Sequence, residues 1–193
     1  MLLFHSLHNI LLIPNKGEIM KFTNDVACTH ENSAQRNSWR NVIMQVKRKR
    51  GGDYTVSSEW LLSSNYIAFY DDNFFTGSRL SCSAMMARHF SKETCVFIPA
   101  EIANLFRTSK GSNGLSVGVS IDKKAKGKIF QANVSINGKL VKLGRFKTEK
   151  EAADAYSESK REVVLSRIND CLEIYKKEPN AIKSLMRLKE FYK

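Results

Sequence analysis

Asn137-Gly138 stands between two stretches in which apolar and polar residues alternate, an arrangement that commits this part of the chain to a β-hairpin. A two-residue type I′ turn needs positive φ at both central positions, and Asn followed by Gly supplies it at low cost. Upstream, Ile129 to Ile136 put Phe130, Ala132, Val134 and Ile136 on one side; downstream, Leu140 to Phe146 put Val141 and Leu143 on the buried side. Ser116 to Ile121 alternates in the same way through Val117, Val119 and Ile121, so the pattern predicts a three-stranded antiparallel meander. Thr148 and Glu151 form a capping box directly after the third strand, and Ala152, Ala153 and Ala155 let the helix they open approach the sheet closely. The expected fold class is α+β, with the sheet packed on one helix and its other face uncovered.

That uncovered face carries Ser120, Asp122, Gln131, Asn133, Ser135 and Lys142, flanked by Lys123, Lys124, Lys126, Lys128 and Arg145. The chain has 31 Lys and Arg against 19 Asp and Glu, a formal charge of +12 that draws it toward polyanions. Residues 110 to 150 hold ten basic side chains, the six just named as Lys or Arg together with Lys110, Lys139, Lys147 and Lys150, and only Asp122 and Glu149 oppose them. Lys and Arg suit phosphates, while Gln, Asn and Arg suit base edges in the major groove. Double-stranded DNA is the expected partner.

The 42% hydrophobic content is enough for a buried core. No stretch approaches the ~20 uncharged apolar residues of a membrane span, so no membrane partner is expected, and four widely spaced cysteines imply reduced thiols and a cytoplasmic location. Cys28, Cys82, Cys95 and Cys171 form no C-x-x-C pair, which argues against zinc; Cys95, inside Cys95-Val96-Phe97-Ile98, reads as a small buried hydrophobe. Met1 to Ile13 is apolar yet lacks the basic start and small-residue cleavage site of a secretory signal. The codons for Lys16-Gly17-Glu18-Ile19 can contain a purine-rich ribosome-binding sequence ahead of Met20, so translation is expected to begin there. Residues 1–19 are then a leader, or otherwise a disordered apolar tail.

Gly51-Gly52, after the basic run Lys47-Arg48-Lys49-Arg50, and the breakers from Ser109 to Gly114 punctuate the chain. The expected organisation is a leader at 1–19, a small mixed helix and strand module at 20–108, the sheet-and-helix domain at 115–168 and a helical tail at 169–193. Within the module, Ser38 to Val46 reads as a helix with Trp39, Val42, Ile43 and Val46 on one face. Tyr54 to Phe75 is rich in aromatic residues and reads as core, Val96 to Pro99 as a short strand, and Ala100 to Phe106 as a helical turn or two. In the tail, Ile182, Leu185, Met186 and Phe191 are the apolar positions of a short amphipathic helix after Pro179.

Val117-Gly118-Val119, then Ala132-Asn133-Val134, then Leu143-Gly144-Arg145-Phe146-Lys147-Thr148-Glu149-Lys150-Glu151-Ala152-Ala153-Asp154-Ala155-Tyr156 resembles the ethylene-response-factor, or Apetala-two, DNA-binding domain. The resemblance covers about fifty residues and implies a sheet docked in the major groove. By position, the family's contacts would fall on Val117, Ser120, Asp122, Asn133, Ser135, Leu140 and Lys142, where this chain lacks the family's arginines and tryptophans. The expected assignment gives bases to Asn133 and Gln131 and phosphates to Lys123, Lys128, Lys142 and Arg145.

Phe90-Ser91-Lys92-Glu93-Thr94-Cys95-Val96-Phe97-Ile98-Pro99, with Glu101 to Phe106, Trp39 and Thr55 to Trp60, resembles the histidine-asparagine-histidine (HNH) homing endonucleases of bacteria and phages, which this DNA-binding domain commonly follows. The family places carboxylates and an asparagine just before the matching stretch. Here that place reads Leu80-Ser81-Cys82-Ser83-Ala84-Met85-Met86-Ala87-Arg88-His89, leaving His89 as a weak catalytic candidate, with Asp71 and Asp72 in another segment. The resemblance implies a phage or bacterial DNA-binding protein derived from a nuclease whose catalytic residues are lost, with no cofactor and no metal ligand. Two alternatives stand beside it: an active metal-dependent homing or nicking endonuclease using Mg²⁺, and an interaction protein with a host or phage partner, such as an inhibitor of a host defence nuclease.

Overall fold

A computed structural model describes residues 9–12, 19–48, 54–106, 114–123, 127, 129–136 and 138–193. Its contacts divide the chain into two units, Met1–Pro99 with Lys177–Ser184 and Ala100–Lys176 with Leu185–Lys193. Among the described residues there are five α-helices.

In the first unit, β1 (Asn9–Leu12) pairs antiparallel with β2 (Ile19–Phe22), so part of the expected leader forms a strand. Helix α1 (Ser33–Lys47) buries Trp39, Val42 and Ile43, as their spacing predicts, but starts five residues before Ser38. The inward residue of its first turns is Arg36, which is buried and donates to the Val26 carbonyl. A charged residue at that position hides the apolar period from the sequence. The aromatic stretch resolves into β3 (Thr55–Val56), a 3-10 turn at Ser58–Leu61 and α2 (Ser63–Asn73). After it come β4 (Ser78–Ser81), β5 (His89–Phe90) and β6 (Val96–Pro99), with β3 parallel to β5 and β4 antiparallel to β6. The core gathers Trp60, Tyr66 and Phe97, and Trp39 Nε1 donates to the Trp60 carbonyl at 2.9 Å. Cys95 is fully buried there.

Helix α2 has no side-chain cap from its own preceding residue, Leu62. Asp25 supplies one from a distant part of the chain, accepting from the Ser64 backbone N–H at 2.9 Å, the Ser63 hydroxyl at 2.8 Å and the Ser64 hydroxyl. Partial burial pushes the Asp25 carboxyl up, but the bonds from Ser64 and Ser63 outweigh it and hold the group at about 2. A depressed carboxylate contributes stability that is complete above its unfolded value near 3.8 and is lost as pH falls through about 2. Asp25→Asn should therefore flatten the acid limb of the melting-temperature profile of the first unit between roughly pH 4 and pH 2. An unchanged acid limb would show that the cap is not felt.

The second unit contains α3 (Ala100–Leu105), β7 (Val119–Ile121), β8 (Phe130–Ile136), β9 (Lys139–Phe146), α4 (Glu149–Ile174) and the part of α5 (Pro179–Tyr192) from Leu185 onward. The three strands form an antiparallel sheet in the order β7-β8-β9, packed on α4. Ile136 pairs with Lys139, which leaves a two-residue loop; Gly138 has φ 77°, and Asn137 lies outside the described residues. The capping box is present, with Thr148 Oγ1 accepting from Glu151 N and Glu151 Oε2 accepting from Thr148 N, each at 3.2 Å. Phe130, Ala132 and Ala152 form the buried centre, packed by Val119, Leu143, Phe146, Ala155 and Tyr156. The small alanines of α4 bring the helix onto the sheet as expected.

Two details depart from the alternation. The pairing of β8 with β9 slips between Ala132 and Asn133, a β-bulge that makes Leu143 the extra residue of β9. Val141, expected on the buried side with Leu143, is 38% exposed, whereas Leu143 packs on the core. Strand β7 begins at Val119 and not at Ser116, because Gly118 turns the chain with φ 79° beneath the Tyr156 ring.

Candidate nucleic-acid interface

With Phe130, Ala132 and Val134 turned into the core, Gln131, Asn133 and Ser135 point to the opposite face of β8. Cross-strand pairing sets their neighbours. Ser120, Gln131 and Arg145 form one row across all three strands, Asn133 pairs with Lys142, and Ser135 pairs with Leu140. The sequence-expected residues Ser120, Gln131, Asn133, Ser135, Lys142 and Arg145 therefore share one sheet face. Lys123 is exposed just beyond β7. Lys124 and Lys128 lie outside the described residues, as do Lys110 and Lys126.

The face is internally braced. Asn133 Nδ2 donates to Ser120 Oγ at 3.4 Å, and the Asn133 backbone N–H donates to the Gly118 carbonyl at 2.9 Å. Asp122 continues the alternation of β7 from Ser120 and pairs with Arg145, its carboxylate 2.8 Å from Nε. The two partners are unequal, since the Asp122 side chain is 9% exposed and that of Arg145 66%. Leu140 stands 71% exposed, an apolar side chain beside the polar rows. A methyl-bearing group there suits the C5-methyl of thymine.

The Asp122–Arg145 pair was not legible in the strand pattern. Counting back from a two-residue loop without a bulge would set Arg145 opposite Phe130, on the core side. The bulge moves it opposite Gln131 and onto the open face. The usable signal was chemical: an arginine cannot be buried beside Phe130 without a partner, so its alternation had to slip.

In the first unit, His89 lies on β5, where its Nδ1 and Thr55 Oγ1 are 2.8 Å apart across the parallel pairing, and Thr94 Oγ1 donates to its carbonyl. Asp71 and Asp72 stand exposed near the end of α2, Asp71 accepting from Gln35 Nε2 at 3.1 Å. Among the described residues no three His, Cys, Asp or Glu side chains come together as a metal-holding group. No described helix is long and apolar enough to cross a membrane. Comparisons with protein-family models, with curated proteins and with solved structures returned no match.

Proposed function

We propose that the second unit binds duplex DNA by laying the outer face of β7-β8-β9 into the major groove, in a phage or bacterial protein descended from an HNH homing endonuclease. The observation that carries this reading is the shared face itself: polar side chains able to read base edges stand in register, with lysines beside them, while α4 covers the reverse. Strands lie ~4.8 Å apart, so a three-strand row spans roughly 10 Å, which suits a major groove ~12 Å wide. Along β8, Gln131 and Asn133 are ~6.8 Å apart, two base-pair steps of ~3.4 Å. Gln131 and Asn133 read base edges, Asn133 held in place by Ser120, and Lys123 and Lys142 hold phosphates; Lys124 and Lys128 have the same chemistry.

The nuclease descent rests on the matching sequence from Phe90 to Phe106, and the loss of catalysis on residues 80–89, which contain no carboxylate and no asparagine. His89 alone cannot both ligate a metal and activate water, so the first unit is read as a scaffold that no longer cuts.

Incubating the full chain with random duplexes at physiological salt, with and without magnesium, tests both parts. The expected result is an enriched motif on intact DNA, with Asn133→Ala relaxing the preference at one base position by about 1–3 kcal/mol. No retention of DNA would overturn the binding reading, and magnesium-dependent cleavage abolished by His89→Ala would overturn the loss of catalysis.

A further inference from the structure

We infer that Arg145, positioned by Asp122, reads the O6 and N7 edge of a guanine in the major groove; this rests on the duplex-binding reading above. From sequence the residue was expected to hold a phosphate, as a flanking cation. The register moves it inward from the flank, into the row Ser120–Gln131–Arg145 that crosses the whole sheet. A phosphate contact needs only a cation at the rim of the face, and a mobile one serves. Arg145 is instead ion-paired, its Nε 2.8 Å from the Asp122 carboxylate.

The asymmetry of that pair supports base reading. Asp122 is packed low against the sheet at 9% exposure while the arginine side chain rises from it at 66%. With the carboxylate beside Nε, the two terminal nitrogens of the planar guanidinium are the pair whose spacing matches two acceptors side by side. Among base edges in the major groove, guanine presents two acceptors, O6 and N7, in that arrangement. Asp122 also has a reason to be on this face: alone it would repel phosphates, and paired with Arg145 it fixes the arginine's rotamer before DNA arrives, which lowers the ordering cost of binding. Asp122 is thus a positioning residue and Arg145 the contact.

The test compares motifs selected from random duplexes by the full-length wild type, by Arg145→Ala, by Asp122→Asn and by the double variant. The double variant loses one charge of each sign and keeps the net charge at +12. The wild-type motif is expected to contain a guanine whose replacement weakens binding roughly 5- to 140-fold. Arg145→Ala and the double variant lose preference at that position alone, and Asp122→Asn reduces it. Placing 7-deazaguanine there weakens the wild type and leaves Arg145→Ala unaffected. If the wild type enriches a motif but Arg145→Ala weakens all sequences alike, with the salt slope reduced by about one, Arg145 is a phosphate contact and the inference falls while duplex binding stands. If the wild type enriches nothing, sequence reading itself fails, and the inference with it.

Discussion

Gly118→Ala is expected to destabilise the second unit by about 3 kcal/mol or more, combining the cost of a left-handed non-glycine residue with that of overpacking. Gly118 has φ 79°, and a Cβ there would lie 2.0 Å from Tyr156 Cδ2 and 2.3 Å from Cε2. The ring cannot withdraw easily, because Tyr156 packs on the Phe130, Ala132 and Ala152 core. The Gly118 carbonyl also receives the Asn133 N–H, so displacement of this turn disturbs the candidate DNA face. Gly138→Ala is the matched control, since its φ is 77° and a Cβ there meets nothing within 4 Å. Amide hydrogen exchange of β8 in the two variants measures the difference. Equal loss of protection would mean that the Tyr156 contact contributes nothing beyond the backbone term.

Raising salt from 50 to 200 mM is expected to weaken binding to a retained duplex roughly 150- to 6,000-fold, as follows from about four to seven phosphate contacts at a slope near −0.9 for each. Lys123, Lys139, Lys142 and Lys147 are exposed on or next to the strands, and Lys124, Lys126 and Lys128 have the same chemistry between β7 and β8. Lys142→Ala should reduce the slope by about one and weaken different sequences alike. Fluorescence anisotropy titrations at several salt concentrations read both quantities. A shallow slope, near that of one or two contacts, would assign the charge of residues 110–150 to solubility and not to DNA.

The sheet, its loop and the capping box of α4 were legible because each is fixed by neighbours in sequence: alternation of period two, Asn-Gly at the turn, and Thr148 three residues before Glu151. The bulge was not, because an extra residue such as Leu143 carries no local mark, and it decides whether Arg145 reaches the open face. Helix α5 shows a related failure. The apolar residues expected to define its face included Met186 and Phe191, yet these are exposed, and Ala181, Leu185, Leu188 and Tyr192 are buried at spacings of four, three and four. A run with more apolar residues than one stripe can hold does not by itself reveal which stripe is covered. In the first unit the cap of α2 came from Asp25, some forty positions before it, beyond the reach of any local signal. Of the candidate interface, the residue types were legible, whereas their rows and the Asp122–Arg145 pair required the register.

The most direct test of the sheet-face account is to reverse one charge on that face and one far from it, and to compare affinities for the same selected duplex. Lys142→Glu changes the outer face of β9, and Lys176→Glu changes an exposed site just past α4, a helix of 26 residues and so roughly 40 Å long. Both substitutions alter the net charge equally. The account predicts that Lys142→Glu weakens binding at least tenfold more than Lys176→Glu. Equal losses from the two would contradict it, making the attraction one of overall charge with no docking face on the sheet.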